Sequence, residues 1–168
     1  WTPASRSMHI GGFKFEDDFV NEVRWNEYLG FEWLGSSVSQ YDLVRLTNGT
    51  DRDTIFTTSA PVLHRDTIYE LNYIGGEVCY YAVAHESGPN QYDTSATVLS
   101  NLHCQTFPPR VFVPNAFTPD GDLINDTFLP DVNFINILNY DVKVFNRSGQ
   151  LICNTFDAPE VWDGGTQA

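Results

Sequence analysis

The chain runs to 168 residues, enough for one ordinary domain or two small ones, and 42% hydrophobic with 14% aromatic residues can build a core. Its 22 acids against 9 Lys and Arg give a net charge of −13. No basic patch relieves that charge, so nucleic acid and anionic lipid are excluded as partners, and the acidity reads first as solubility. There is no initiator Met and no apolar run long enough to span a bilayer, so a soluble fragment of a longer protein is expected.

Helical periodicity is weak and alternation is strong. Phe13-Lys14-Phe15 begins a first strand and Val20 to Trp25 forms a second. Val38 to Leu46 alternates throughout and is followed by Asn48-Gly49, a hairpin turn signal. Thr54 to Thr58 and Thr67 to Leu71 are β-rich runs. Gly75-Gly76 precedes the strand Glu77 to Ala84, and after a polar loop Ser95 to Leu102 supplies another. About seven short strands is the count of an immunoglobulin-like or fibronectin type III-like sandwich.

Gln105-Thr106-Phe107-Pro108-Pro109 breaks the pattern, because paired prolines remove backbone donors and stiffen the chain. The domain boundary therefore falls here, giving units 1–107 and 108–168. In the second, Val111-Phe112-Val113 opens a strand. Tyr140 to Phe145 alternates, Asn146-Arg147-Ser148-Gly149 turns, and Gln150 to Thr155 returns as the hairpin partner. The fold class expected is all-β: two tandem immunoglobulin-like or fibronectin type III-like sandwiches.

Of three cysteines, Cys79 and Cys104 sit on successive strands. An antiparallel hairpin turning between Gln91 and Tyr92 sets them opposite each other, within disulfide reach. That bond places the protein in an oxidising compartment. Cys153, without a partner, reads as a small buried hydrophobe.

Catalytic chemistry is not found, and the chain is expected not to be an enzyme. His64-Arg65-Asp66 mimics a kinase catalytic loop, but Leu71 stands where that motif needs Asn, and neither a Gly-rich loop nor Asp-Phe-Gly accompanies it. It reads as a loop before the strand at Thr67. His9, His64, His85 and His103 lack zinc spacing. Asp17-Asp18 reads as a solvated turn. Trp25 and Trp33 offer a sugar-stacking platform, but in a sandwich they read as core. Asp53-Thr54-Ile55 and Asp66-Thr67-Ile68 resemble an O-glycosylation acceptor motif of Bacteroidetes, though Thr54 and Thr67 are also ordinary strand residues.

The densest chemistry lies in Pro114-Asn115-Ala116-Phe117-Thr118-Pro119-Asp120-Gly121-Asp122-Leu123-Ile124-Asn125-Asp126-Thr127-Phe128. Asp120, Asp122 and Asp126 offer the hard oxygens calcium takes, and calcium is the one cofactor considered. An EF-hand needs an oxygen where Ile124 stands and a late Glu that is missing. A turn, shaped by Asp and Asn bonding nearby amides, is the favoured reading.

That segment, with Val144-Phe145-Asn146-Arg147-Ser148-Gly149-Gln150-Leu151 and Trp162-Asp163-Gly164, resembles the gliding-motility-associated C-terminal domain, the type B sorting domain of the Bacteroidetes type IX secretion system. The residues carrying the likeness are Pro114, Asn115, Phe117, Thr118, Pro119, Asp120, Gly121, Asp122, Asn125, Asp126, Phe128, Asn146, Arg147, Gly149, Trp162, Asp163 and Gly164. The family usually has Asn at Asp120, Gly at Leu123, Trp at Ser148 and an aromatic near Cys153. It also continues for further strands, so the domain is expected to be truncated before its last ones. The resemblance implies export across the outer membrane to the surface or medium, with the translocon and an outer-membrane barrel anchor as partners. The first unit resembles the fibronectin type III-like spacers that precede such domains, through Trp25, Tyr41-x-Leu43 and Tyr80-x-Ala82-x-Ala84. An incomplete sandwich would leave an open edge for strand donation from a partner chain. The competing readings are an adhesin or glycan-binding first domain and the tail of a surface hydrolase.

Overall fold

The computed structural model describes residues 7–69, 76–134, 141–155 and 162–165. It is all-β, in several antiparallel sheets, as β-sandwich domains require. The described residues form two compact units divided between Phe107 and Pro108, with Gly76 grouped with the second.

In the first unit, β1 (Ile10–Phe15), β2 (Val20–Trp25) and β5 (Leu63–Thr67) make a three-stranded sheet in the order β1-β2-β5. The other sheet holds five strands. β3 (Val38–Thr47) lies between β4 (Asp51–Thr58) and β6 (Glu77–Glu86), and β6 pairs along its length with β7 (Thr97–Leu99) and β8 (His103–Thr106). Alternation decides which faces are buried. On β6, Val78, Tyr80, Ala82 and Ala84 are each fully enclosed, and Tyr41 and Leu43 of β3 and Val23 of β2 are as deeply buried. Each such large side chain contributes roughly 1.5–3 kcal/mol over its exposed state. Asn48 and Gly49 both take positive φ, 52° and 75°, and Thr50 N–H bonds Thr47 O at 3.2 Å, the tight hairpin that Asn-Gly favours.

Three expectations are corrected. The strand placed at Thr67 to Leu71 lies earlier, at Leu63–Thr67, so His64-Arg65-Asp66 is strand and not loop; Leu71 itself lies outside the described residues. The reason is a polar alternation: Arg65 faces out to Glu22 at 3.0 Å, while Asp66 faces in and takes two bonds from Arg45 Nη1, at 2.9 and 3.1 Å. The strand expected over Ser95 to Leu102 is only Thr97–Leu99, and a separate strand, His103–Thr106, follows it and carries Cys104. The register slips by one residue between Val83↔Leu99 and Tyr80↔His103. At the slip, Asn101 turns its side chain onto both backbone groups of Ile10 in β1. Trp25 is core at 6% exposure, but Trp33 is 65% exposed. It rides a short 3₁₀ turn, Gly30–Leu34, whose buried residue is Phe31.

A buried polar network ties the two sheets. Tyr80 donates to Asp66 at 2.8 Å and Asn21 donates to the Tyr80 hydroxyl at 2.7 Å, so Asn21 and Asp66 of one sheet hold Arg45 and Tyr80 of the other. Burial, and after it the Asp66 charge, push the Tyr80 phenol far above its ordinary value. Cys79 and Cys104 are directly opposed on β6 and β8 and joined by a disulfide; Cys153 is free and buried.

In the second unit, β9 (Arg110–Phe112) pairs with β10 (Asp131–Asn133), and β11 (Val142–Phe145) with β12 (Leu151–Thr155). The alternating run expected from Tyr140 is strand from Val142; Tyr140 lies outside the described residues.

Candidate functional site

The segment Pro114 to Phe128 is a loop knotted by its own acids. Asp126 accepts Gly121 N–H on Oδ1 and Leu123 N–H on Oδ2, both at 2.7 Å. Asp122 accepts Ile124 N–H at 2.8 Å, and Asp120 accepts Asp122 N–H at 3.3 Å. Thr118 N–H closes the loop on Asn125 O at 2.8 Å. Three residues take the left-handed conformation: Gly121 (φ 82°), Leu123 (φ 69°) and Asn125 (φ 56°). Gly121 adopts it without strain and Asn125 tolerates it. Leu123 is an ordinary side chain held there by the Asp126 bond on its own amide. The Gly121 bond is the largest effect on the Asp126 carboxyl; desolvation opposes it, and with the bonds from Leu123 and Asp120 the carboxyl is held below the usual carboxylate value.

The carboxylates of Asp120, Asp122 and Asp126 converge, with ligand atoms within 4.8 Å of one another. Their chemistry suits a hard cation, but both Asp126 oxygens and one each of Asp120 and Asp122 already accept backbone amides. The donors present build a turn.

At the loop's end the chain meets Trp162. Phe128 and Trp162 exchange backbone bonds as an antiparallel bridge, N···O 2.7 and 3.1 Å. Phe117, Phe128 and Trp162 form one aromatic cluster, with ring centroids 5.2 Å apart for Phe117–Trp162, 6.0 Å for Phe117–Phe128 and 6.4 Å for Phe128–Trp162. Trp162 Nε1 donates to Gly165 O at 2.6 Å and Asp163 accepts Gly165 N–H at 2.9 Å, which folds Trp-Asp-Gly into a compact turn. Gly164, at φ 90°, packs on Pro119 and Phe117. Two blocks far apart in the sequence therefore form one body.

The Asn146 to Gly149 block makes its bonds inside its own hairpin. The Asn146 side chain accepts Ser148 N–H at 3.0 Å and Gln150 N–H at 2.9 Å, and Gly149 (φ 80°) completes the reversal. Arg147 is exposed, and so are Asn115 and Thr118.

Residues 111–168 match the CHU_C Type IX secretion signal domain. No curated protein and no solved structure matches the chain. The match covers the loop, the hairpin and Trp-Asp-Gly together. A Type IX secretion signal domain directs export across the outer membrane to the cell surface or extracellular space, so these residues have a sorting role in a secreted protein and interact with the secretion system.

Sequence reasoning missed one surface of the signal domain. Val111, Val113, Val132, Val142 and Val144 join Phe128 in lining an apolar groove of about 550 Å³. The signal was present as valines at every second position, on strands too short for their face to be assigned.

Proposed function

We propose that the chain is a non-enzymatic C-terminal region of a secreted surface protein, in which residues 108–168 are the address and residues 1–107 are a fibronectin type III-like spacer. The observation carrying this reading is the match of residues 111–168, whose first and last motif blocks meet at Phe117, Phe128 and Trp162. The two-sheet order of the first unit and the inward-facing Tyr80-x-Ala82-x-Ala84 strand support the spacer assignment. The partners we assign are the translocon and an outer-membrane barrel anchor, with a β-strand added by a partner at the valine groove. Support for that strand comes from the groove's flanking sheets, each of two described strands, an arrangement only marginally stable alone.

The test is a fusion of the chain behind a periplasm-targeted fluorescent reporter. In a strain with a working type IX system the reporter should reach the surface or medium, and in a strain lacking the system it should stay in the periplasm. Retention in both strains would sink the proposal.

A further inference from the structure

At one end of the first unit, the β2–β3 connection and the β4–β5 connection enclose a pocket of about 120 Å³. Its lining includes Tyr28, Phe31, Tyr41 and Pro61, and the exposed carboxylate residues Glu27 and Glu32.

The aromatic wall is fixed by the backbone. Phe31 is anchored in the 3₁₀ turn at 2% exposure, and the Tyr28 ring stands edge-on to it at 4.9 Å and 77°. Tyr28 can lie there because residue 30 is glycine, whose added β-carbon would fall 2.1 Å from the Tyr28 hydroxyl. The backbone N–H of Tyr28 donates to the Tyr41 hydroxyl at 3.0 Å, which fixes that hydroxyl at the pocket's edge. Burial, partly offset by that hydrogen bond and reinforced by the Glu27 charge, pushes the Tyr41 phenol up, so Glu27 acts electrostatically on this wall.

Neither Glu27 nor Glu32 has a cationic partner among the described residues. Aromatic faces are themselves negative, so rings and carboxylates together favour positive charge. Anions are repelled here by both glutamates and by the net charge of −13. Calcium takes six or more oxygens, whereas Leu29, Phe31, Val38, Ala60 and Pro61 bring no side-chain oxygen to this lining. At roughly 30 Å³ per water-sized group, the pocket holds about four such groups. That is the size of an alkylated ammonium head.

We propose that this pocket binds a small organic cation, an ammonium bearing alkyl groups. The assignment stands apart from the sorting role of residues 111–168. Two sources share the chemistry: a quaternary ammonium and the end of a lysine side chain.

The experiment titrates the full chain with tetramethylammonium and with n-butylammonium at constant ionic strength, following the Tyr28, Phe31 and Tyr41 ring resonances by NMR. Neopentane-like 3,3-dimethylbutanol serves as the uncharged probe. Saturable shifts with one or both cations and none with the alcohol are expected, and the stronger cation identifies the source. The Glu27→Gln/Glu32→Gln double variant should weaken binding about tenfold or more. Gly30→Ala, which displaces Tyr28 while leaving both charges, should weaken it as well. Urea midpoints confirm that each variant is folded. Absence of saturable shifts with either cation, equal shifts with the alcohol, or undiminished binding in a folded double variant overturns the assignment.

Discussion

Gly164 lies against Phe117: a β-carbon built on the glycine would sit 3.5 Å from two ring carbons and 3.3 Å from Pro119 Cγ. The Trp-Asp-Gly block thus closes over the first block of the signal domain, and both motifs serve one packed joint.

Substituting that glycine has two costs. Gly164→Ala places a side chain at φ 90° and crowds Pro119 at 3.3 Å, while touching Phe117 at ordinary contact distance. The left-handed conformation costs roughly 1–2 kcal/mol, and overpacking about 1–3 more. Gly121→Ala, at φ 82° in open space, carries only the first cost. Urea unfolding should rank the variants in that order, and export of the reporter fusion should fall in the same order.

The turn bonds of Asp126 should depend on pH in a defined direction. Its carboxyl is held below its ordinary value of 3.8, so the stabilisation is present above that value and is lost as pH falls through the lower folded value. Carbon-detected NMR titration of the carboxyl should give a midpoint below 3.8. Asp126→Asn, which keeps one acceptor oxygen and loses the other, should increase amide exchange at Gly121 or Leu123.

Breaking the inter-sheet network should cost far more than any surface change. Asp66→Ala leaves the Arg45 guanidinium, 15% exposed, without its main partner. An uncompensated buried charge costs about 3–5 kcal/mol. Tyr80→Phe removes one hydroxyl bonded to both Asn21 and Asp66 and should cost about 1–3 kcal/mol. Chemical denaturation of both variants measures the difference.

Reduction of Cys79–Cys104 opens a loop with a sequence separation of 25. Loop-closure entropy puts the loss at roughly 3–4 kcal/mol. Thermal melts with and without reductant should show it, and Cys79→Ser/Cys104→Ser should melt like the reduced protein.

A turn built by backbone amides needs no ion. Melting temperatures in calcium and in chelator should therefore coincide. A rise of several degrees with calcium would show that Asp120, Asp122 and Asp126 hold it.

Much of the architecture was legible because hydrophobic alternation marks half-buried strands. Val20–Trp25 and the long Val38 strand read directly, and hairpin register alone set Cys79 against Cys104. What escaped was carried by polar residues. β5 has few apolar positions and is held by Glu22, Arg45 and Tyr80 across two sheets, contacts no local window contains. Trp33 resembled core because size and hydrophobicity do not reveal that Phe31 takes the inward place on the same turn. In the signal domain the motif residues were readable one by one. That Gly164 seats on Phe117 was not, since the two are joined only by the fold.

The disulfide has a mechanical consequence. β8 is the last strand before Pro108, so tension between the two halves of the chain enters the first unit at β8. Its hydrogen bonds to β6 can unzip only as far back as Cys104. From there the covalent link carries load straight to Cys79, and the stretch between, including the β6–β7 loop and most of β6, is bypassed. Under tension applied from the Pro108 side, the crosslink acts as a force shunt that spares most of β6 in the five-stranded sheet.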